Sequence, residues 1–422
     1  MVLAFGAGLV CLGVAIPVYP TLSGVTAAVV IAVMALSGLT VVVVEPGARS
    51  YLFRWALVSF ALHAVVGAAI VHVPDLVSYL GPDAWGYHEA ARSGGSLRAD
   101  KSGFVTLLGA FYRVTSPSMI VGALMNAAFA AGLVPVVART TGLLFGDRAA
   151  RMAAPLVTLL PPLLIWPSQV LREAPILFLL AVMTLAAAHL HRRTTLSSVV
   201  TLLSASLVLL TFRGFTIPIA AALVGSVLFA QRQVIVGLAR VSAVAILAIT
   251  SVGVLGLGLS GYRAAAERGL DDLDFVRRNT SIEATTGFDD TTVTRTNAEA
   301  LAYLRTAMPR LLAGPAPWEV SGPRELPAIA DAFVWWWCLW HVVVGLRAAK
   351  ALGSRRRLLV LLLPASVMAI ILALGLGNYG ILIRQRPQVL VFLLPIIASS
   401  LARRRSGRVD VGSAPEVVTA VH

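Results

Sequence analysis

Charge is scarce in this sequence, and acidic charge is the scarcest. Only 13% of the 422 residues are charged, 58% are hydrophobic, and the mean hydropathy is +0.85. A soluble domain of this length cannot bury that much apolar surface, so lipid is the solvent that fits the composition. Cys11 and Cys338 both lie in apolar runs. Two such cysteines define no disulfide framework and no metal site.

Motifs for soluble nucleotide and hydrolase chemistry are also missing. The sequence contains no Walker A loop, no Gly-x-Ser-x-Gly elbow, no His-Glu-x-x-His and no zinc-ligand spacing. It therefore argues against soluble nucleotide-driven chemistry, and the residues themselves predict no metal site.

Apolar runs of about 20 residues, the length that crosses a bilayer as a helix, dominate the sequence. They predict an all-α fold, a polytopic transmembrane helical bundle of about 12 spans. The predicted spans are 2–19, 24–44, 52–72, 118–138, 150–166, 174–190, 196–212, 215–231, 239–259, 329–346, 356–376 and 387–402. The predicted organisation is 1–72 with three spans, 73–117 as a first outer loop, 118–259 with six spans, 260–328 as a second outer loop, 329–402 with three spans, and 403–422 as a basic cytoplasmic tail.

The basic residues orient the bundle. If the spans alternate, the segments on one side hold 18 of the 34 basic and 4 of the 20 acidic residues, and the other side holds 16 of each. The whole net charge of +14 then belongs to the first side, which the positive-inside rule makes cytoplasmic. This distribution indicates attraction to a lipid bilayer and no nucleic-acid partner. We expect an inner (plasma) membrane protein with both termini in the cytoplasm.

The two long outer loops, 73–117 and 260–328, each contain a short amphipathic pattern. Apolar residues recur at helical spacing over 104–112 and again over 301–312. Both stretches are too short to span, so we expect helices that lie in the outer interface and roof a cavity. In the first loop, Asp83 is a suitable N-cap for a further helix.

Outer arginines run against the positive-inside trend. Arg172, Arg213, Arg384 and Arg386 all fall in predicted outer turns. An arginine at the membrane boundary is costly unless it snorkels or is paired, and a phosphate or diphosphate would be a bidentate partner. We predict these four as phosphate-binding residues. Two alternatives stay open: a local ion pair between Arg172 and Glu173, and contact of Arg384 and Arg386 with lipid headgroups.

Two further stretches admit two interpretations. The four tryptophans of 335–340 favour an interfacial aromatic belt over a sugar-stacking platform. The acidic stretch 271–274 favours a solvated helix start over a site for a divalent cation. Asp331 is interpreted as a surface or cap residue.

Five motifs follow one another over about residues 50–230. They are Asp83-Ala-Trp-Gly-Tyr87-His88, Arg139, Gly146-Asp-Arg-Ala-Ala-Arg151, Leu156 to Pro162, and Ser168-Gln-Val-Leu-Arg172-Glu173. Their order resembles the C-type glycosyltransferase superfamily of membrane enzymes, which includes protein O-mannosyltransferases and lipid A aminoarabinose transferases. The segment from Gly377-Asn378 to Arg386 is similar to bacterial exopolysaccharide and O-antigen assembly proteins.

The resemblance implies a polyprenyl-phosphate-linked sugar donor, transfer at the extracytoplasmic face to a glycan, lipid or protein acceptor, and Asp83 as the catalytic base. Many members of the superfamily have two adjacent acidic residues at this position, whereas in this sequence Asp83 is followed by Ala84. A divalent metal stays open, because many members bind one. Tyr87, His88, Glu173 and Asn378 are candidate supporting residues. A polymerase or ligase of lipid-linked glycans is the first alternative, and a transporter or flippase is the second.

We expect a Trp85→Cys variant, made with Cys11→Ala and Cys338→Ala, to react with a membrane-impermeant maleimide outside intact cells. The reason is that the predicted topology puts residues 80–90 on the outer side. Arg148→Cys, on the predicted inner side, should react only after permeabilisation. Labelling of 80–90 from the cytosol alone would contradict the orientation.

Overall fold

The computed structural model of the chain describes residues 20–73, 75–76, 80–95, 99–213, 216–230, 274–275, 277–281, 287–288, 296–319, 326–351 and 355–404. Over these residues the chain is helical, and one isolated antiparallel bridge joins Gly287 to Asn378. The α-helices are α1 (Pro20–Val43), α2 (Arg49–His72), α3 (Asp83–Ser93), α4 (Ala99–Val114), α5 (Met119–Phe145), α6 (Asp147–Leu159), α7 (Pro161–Ile165), α8 (Glu173–Arg192), α9 (Leu196–Leu210), α10 (Thr216–Ala230), α11 (Asn297–Ala313), α12 (Leu326–Ala351), α13 (Arg355–Gly375) and α14 (Tyr379–Arg404).

Seven of these helices are long and apolar enough to cross a membrane: α1, α2, α5, α8, α12, α13 and α14. This confirms a polytopic helical membrane protein. Two predicted spans, 2–19 and 239–259, lie outside the described residues, and α9 and α10 are shorter apolar helices. The α5 and α14 spans are 83% and 89% buried, against 28% for α1, so α5 and α14 form the centre of the bundle.

The predicted span 150–166 is two helices instead of one. Leu160 adopts an extended conformation (φ −72°, ψ 117°) between α6 and α7. The cause is local, because Pro161 follows it and a residue before proline is disfavoured in the α region. Pro161 then opens α7, where a proline costs the helix no hydrogen bond.

A buried turn, 166–172, separates α7 from α8, and residues of α2 and α5 hold it in place. The side-chain amide of Asn126 donates to the carbonyls of Gln169 and Leu171, the latter at 2.6 Å. A Cβ on Gly67 would lie 2.6 Å from the Ser168 carbonyl oxygen, so only glycine lets α2 pack this closely. Non-helical backbone at membrane depth is tolerated where protein buries and satisfies it.

Arginines at the ends of several spans meet on one face of the bundle. Arg139 of α5 forms an ion pair with Glu45, between α1 and α2. Arg139 and Arg357 of α13 both lie close enough to Arg192, the last residue of α8, to repel its charge. We call the part of the surface formed by these residues the basic face. The structure thus brings together charges that the predicted alternation of spans places on the same side.

The C-terminus of α11 is capped by side chains from two other helices. Arg386 of α14 donates from Nε to the Leu311 carbonyl at 3.0 Å and from Nη2 to the carbonyls of Arg310 and Gly314. The next two carbonyls accept from the indoles of Trp335 (2.9 Å) and Trp336 (3.1 Å) on α12. The last carbonyls of a helix lack partners within the helix. This cap therefore fixes α11 to the bundle.

We expect Arg386→Ala to lower the free energy of unfolding by about 3–5 kcal/mol, because it leaves a buried carboxylate and several carbonyls without their donor. Arg386 is 1% exposed, and its Nη1 lies 3.2 Å from Asp331 Oδ2. Unfolding in mixed detergent micelles measures the change. Arg305→Ala, an exposed arginine of α11, is the control and should change it by less than about 0.5 kcal/mol. Equal losses in the two variants would show that the cap contributes nothing.

Candidate functional site

Charged side chains from α3, α8 and α14 meet at the end of the bundle opposite the basic face. Glu173 is the first residue of α8, whose last residue is Arg192. Arg384 lies near the start of α14, with Arg403 near its end. In each helix the two residues are about 28 Å apart along the axis, which is close to the thickness of the hydrocarbon core. The cluster therefore lies at the other membrane boundary. We call Asp83, Arg172, Glu173, Arg213 and Arg384 the acid–arginine cluster.

Glu173 is the buried centre of this cluster. Its side chain is only 2% exposed, and Oε1 lies 2.9 Å from Arg384 Nε and 3.8 Å from Arg213 Nη2. A lone carboxylate at this depth would be strongly destabilising. The two guanidiniums and the positive end of the α8 dipole compensate its charge.

Asp83 is the open end of the cluster. Its side chain is 44% exposed, and Oδ2 lies 3.2 Å from Arg384 Nη1, so a single guanidinium bridges an exposed acid and a buried one. The predicted N-cap role is wrong. Pro82 occupies the cap position without a side-chain cap bond, and Asp83 is the first residue of α3. Its carboxylate faces the arginine instead of its own backbone.

The surrounding charges keep Asp83 ionised. Burial raises the pKa of its carboxyl group, but the charges of Arg384, Lys101 and Arg172 outweigh burial and hold the pKa below its usual 3.8. The carboxylate is therefore anionic at neutral pH and able to accept a hydrogen bond or a proton.

Two more arginines complete the cluster from neighbouring turns. Arg172 is buried and donates from Nη1 to the Phe212 carbonyl at 3.0 Å. Arg213 is the next residue after Phe212. Burial and the charges of Arg172 and Arg384 lower the pKa of Arg213 to about 9, against the opposing charge of Glu173. It stays protonated at neutral pH, so the cluster holds three guanidiniums.

Tyr87 borders the cluster one turn after Asp83 on α3. Its hydroxyl is buried and makes no hydrogen bond within the described part of the chain. Burial raises its pKa to about 12, with smaller contributions from Arg172, Glu173 and Arg213. The Lys101 ammonium lies 5.6 Å from the centre of the ring. A protonated, buried hydroxyl without an acceptor beside several cations is suited to donate to an anionic ligand.

His88 supports α3 from its other side. Its Nδ1 forms a 2.8 Å hydrogen bond with the hydroxyl of Tyr112 on α4. Burial and the charge of Arg92 lower the pKa of His88 below its usual 6.5, against Glu89, so the imidazole is neutral at pH 7. The contact packs α3 onto α4 and gives His88 a positioning role next to Tyr87.

A groove of about 510 Å³ lies between the end of α3 and α4. Hydroxyl groups of Ser93, Thr106 and Tyr112 and the side chains of Arg92 and Arg113 line it. The volume is within the usual range of ligand pockets. Ala90 and Gly94, which line the groove, follow Asp83 and Tyr87 at helical spacing, so the groove lies at the far end of the α3 face that carries these two residues.

The other predicted site residues have different surroundings. Arg386 contacts Asp331 and the end of α11, and Asp331 is a buried partner where a surface residue was predicted. Asn378 accepts from the Ile381 amide, which caps α14, and donates to the Thr280 carbonyl at 2.7 Å. Trp335 and Trp336 act as helix caps, while Trp337 and Trp340 are the exposed members of the set.

Within the described residues, no group of three or more His, Cys, Asp or Glu side chains could hold a metal ion. Asp274 is bound by Arg277 and Arg278, while Asp271 and Asp272 lie outside the described part. Lys101 and Tyr112 are contributors that the sequence interpretation missed. Lys101 is one of only two lysines in an arginine-rich chain, a signal that singles it out.

We expect the stability that Asp83 contributes to depend on pH in one direction. Because its pKa is lowered on folding, ionised Asp83 stabilises the fold above pH 3.8, and this contribution is lost as the pH falls through the lower folded value. The difference in unfolding temperature between the wild type and Asp83→Asn should stay constant from pH 8 to 5 and shrink below pH 4. Asp147→Asn, an exposed acid of α6, is the control. A difference that grows on acidification would contradict the ion pair.

No protein-family model, curated protein sequence or solved structure matches this chain. Its membrane-spanning helical fold and the geometry of the acid–arginine cluster are therefore the basis for assigning a function.

Proposed function

We propose that the chain is a membrane glycosyltransferase. It moves a sugar from a polyprenyl-phosphate-linked donor to an acceptor at the extracytoplasmic face, in the inner (plasma) membrane. The observation that carries the proposal is the contact of Arg384 with both Asp83 and Glu173, which unites an exposed carboxylate with buried arginines at one membrane boundary.

A glycosyl phosphate already has a good leaving group, so the enzyme must activate the acceptor and stabilise the departing phosphate. In the proposed step the acceptor hydroxyl oxygen bonds to the anomeric carbon and its proton passes to the Asp83 carboxylate. The bond from the anomeric carbon to the phosphate oxygen breaks, and its electron pair stays on the phosphate. Exposed, ionised Asp83 fits the base role.

The arginines and Tyr87 supply the second requirement. Arg172, Arg213 and Arg384 hold positive charge where the phosphate gains negative charge, and in a poorly solvated site such stabilisation is strong. The buried Tyr87 hydroxyl is a further donor toward the same place. Arg386 and Asn378 take structural roles in this proposal, because their side chains cap helices.

We place the acceptor in the groove between α3 and α4. Ala90, which lines the groove, is about 10 Å along α3 from Asp83. The hydroxyl groups and arginines of its lining suit a polar, hydroxyl-bearing acceptor.

A polymerase or ligase of lipid-linked glycans is the second candidate, and the charge balance of the site suits it equally well. Lys101, Arg172, Arg213 and Arg384 supply four positive charges, and Asp83 and Glu173 supply two negative ones. The excess of two matches a diphosphate-linked donor as well as a departing phosphate.

We expect Asp83→Asn to lower the rate of sugar transfer by about 10²- to 10⁴-fold, because it removes the proton acceptor. Transfer from a polyprenyl-phosphate-linked sugar in membranes that carry the protein measures the rate. Asp147→Asn is the control. It changes an exposed acid of α6 outside the acid–arginine cluster and the groove, and activity should stay within about twofold, since most exposed substitutions are mild.

Asp83→Asn must also insert and elute as the wild type does in detergent, so that loss of folding is excluded. Full activity of this variant would remove Asp83 from the mechanism. Loss of activity in Arg384→Ala with tolerance of Asp83→Asn, and activity on a diphosphate-linked donor alone, would favour the polymerase or ligase.

A further inference from the structure

Three arginines from three helices converge on the basic face, far from the acid–arginine cluster. Arg139 of α5 is mostly buried, while Arg192 of α8 and Arg357 of α13 are exposed. Arg357 Nη1 lies 3.5 Å from the Leu144 carbonyl, at the end of α5. Glu45 is the acid that pairs with this group, through Arg139.

Glu45 does not balance the positive charge of these three arginines. Arg357 and Arg139 place two like charges near Arg192, and Glu45 places one opposite charge there. The Arg139 Nε is also buried and makes no hydrogen bond within the described part of the chain. Like charges held together by three packed helices favour a bound anion, and guanidinium groups bind phosphate in bidentate fashion.

Exposed aliphatic side chains lie close along the chain to two of these charged residues. Val42 is 84% exposed and lies three residues before Glu45, and Leu196 is 71% exposed and lies four residues after Arg192. Cations at a membrane boundary next to exposed aliphatic side chains match a charged headgroup with acyl chains, whereas a soluble anion would use only the cations.

We propose that Arg139, Arg192 and Arg357 form a binding site for the phosphate headgroup of an anionic phospholipid on the basic face. The site is independent of the proposed glycosyltransferase activity, because it lies about one hydrocarbon thickness from the acid–arginine cluster. The lipid neutralises the repulsion between α5, α8 and α13, and its acyl chains lie against Val42 and Leu196.

Native mass spectrometry of the full chain in detergent, titrated with phosphatidylglycerol or phosphatidylcholine, tests this site. We expect phosphatidylglycerol to bind more tightly, and the double variant Arg192→Gln and Arg357→Gln to weaken its first binding event by about thirtyfold. The single variant Arg192→Gln should weaken it by about fivefold. The matched control removes two exposed arginines of other helices, by Arg54→Gln and Arg148→Gln, and should leave the affinity unchanged.

Three results would overturn the proposal. Equal weakening in the control pair would mean that the net charge of the face attracts the lipid, without a built site. Equal affinity for phosphatidylcholine would remove the requirement for an anionic headgroup. Displacement of phosphatidylglycerol by millimolar inorganic phosphate would identify a soluble anion as the ligand. All variants must unfold in phosphatidylcholine at the wild-type temperature, since the substituted arginines are exposed.

Discussion

A buried carboxylate at the start of a helix is the constraint on which the rest of the site depends. Glu173 is inside the protein at a membrane boundary, where an uncompensated charge would be strongly destabilising. Arg384 and Arg213 must therefore approach it, and they bring α14 and the turn after α9 to the start of α8. The broken helix before Glu173 is part of the same arrangement, because the turn 166–172 lets α8 begin at this depth. Asp83 joins the group through the free side of Arg384.

Two arginines of one helix show how sharply tertiary structure divides similar residues. Arg384 and Arg386 are about 200° apart around α14, so they face different neighbours. Arg384 faces two acids, whereas Arg386 faces the end of α11 and donates to its carbonyls. The first arginine joins the acid–arginine cluster, and the second fixes α11 to the bundle. Their shared sequence context, in which both precede the apolar part of the last span, does not separate them.

The two ends of the bundle handle positive charge differently. At the acid–arginine cluster, guanidiniums are buried and alternate with carboxylates, so the region is only partly open to solvent. On the basic face, the arginines are more exposed and one acid serves several of them. The first arrangement pairs most of its charges within the protein, and the second leaves an excess of charge that phospholipid headgroups can neutralise.

The sequence by itself determined the membrane-spanning helical class, the presence of helices over 104–112 and 301–312, and the set of arginines worth examining. Hydropathy and helical periodicity are local properties, and the solvent imposes them directly. The sequence also contains the local cause of the break at Leu160, because Pro161 follows that residue, although the hydropathy pattern predicted one span over 150–166. It did not determine that Asp83 would follow the cap residue. It also could not separate Arg384 from Arg386, or pair the latter with Asp331. Those outcomes depend on which helices pack together, since a buried charge takes its partner from the nearest neighbour in space, and residues such as Asp83 and Arg384 are about 300 positions apart in the chain.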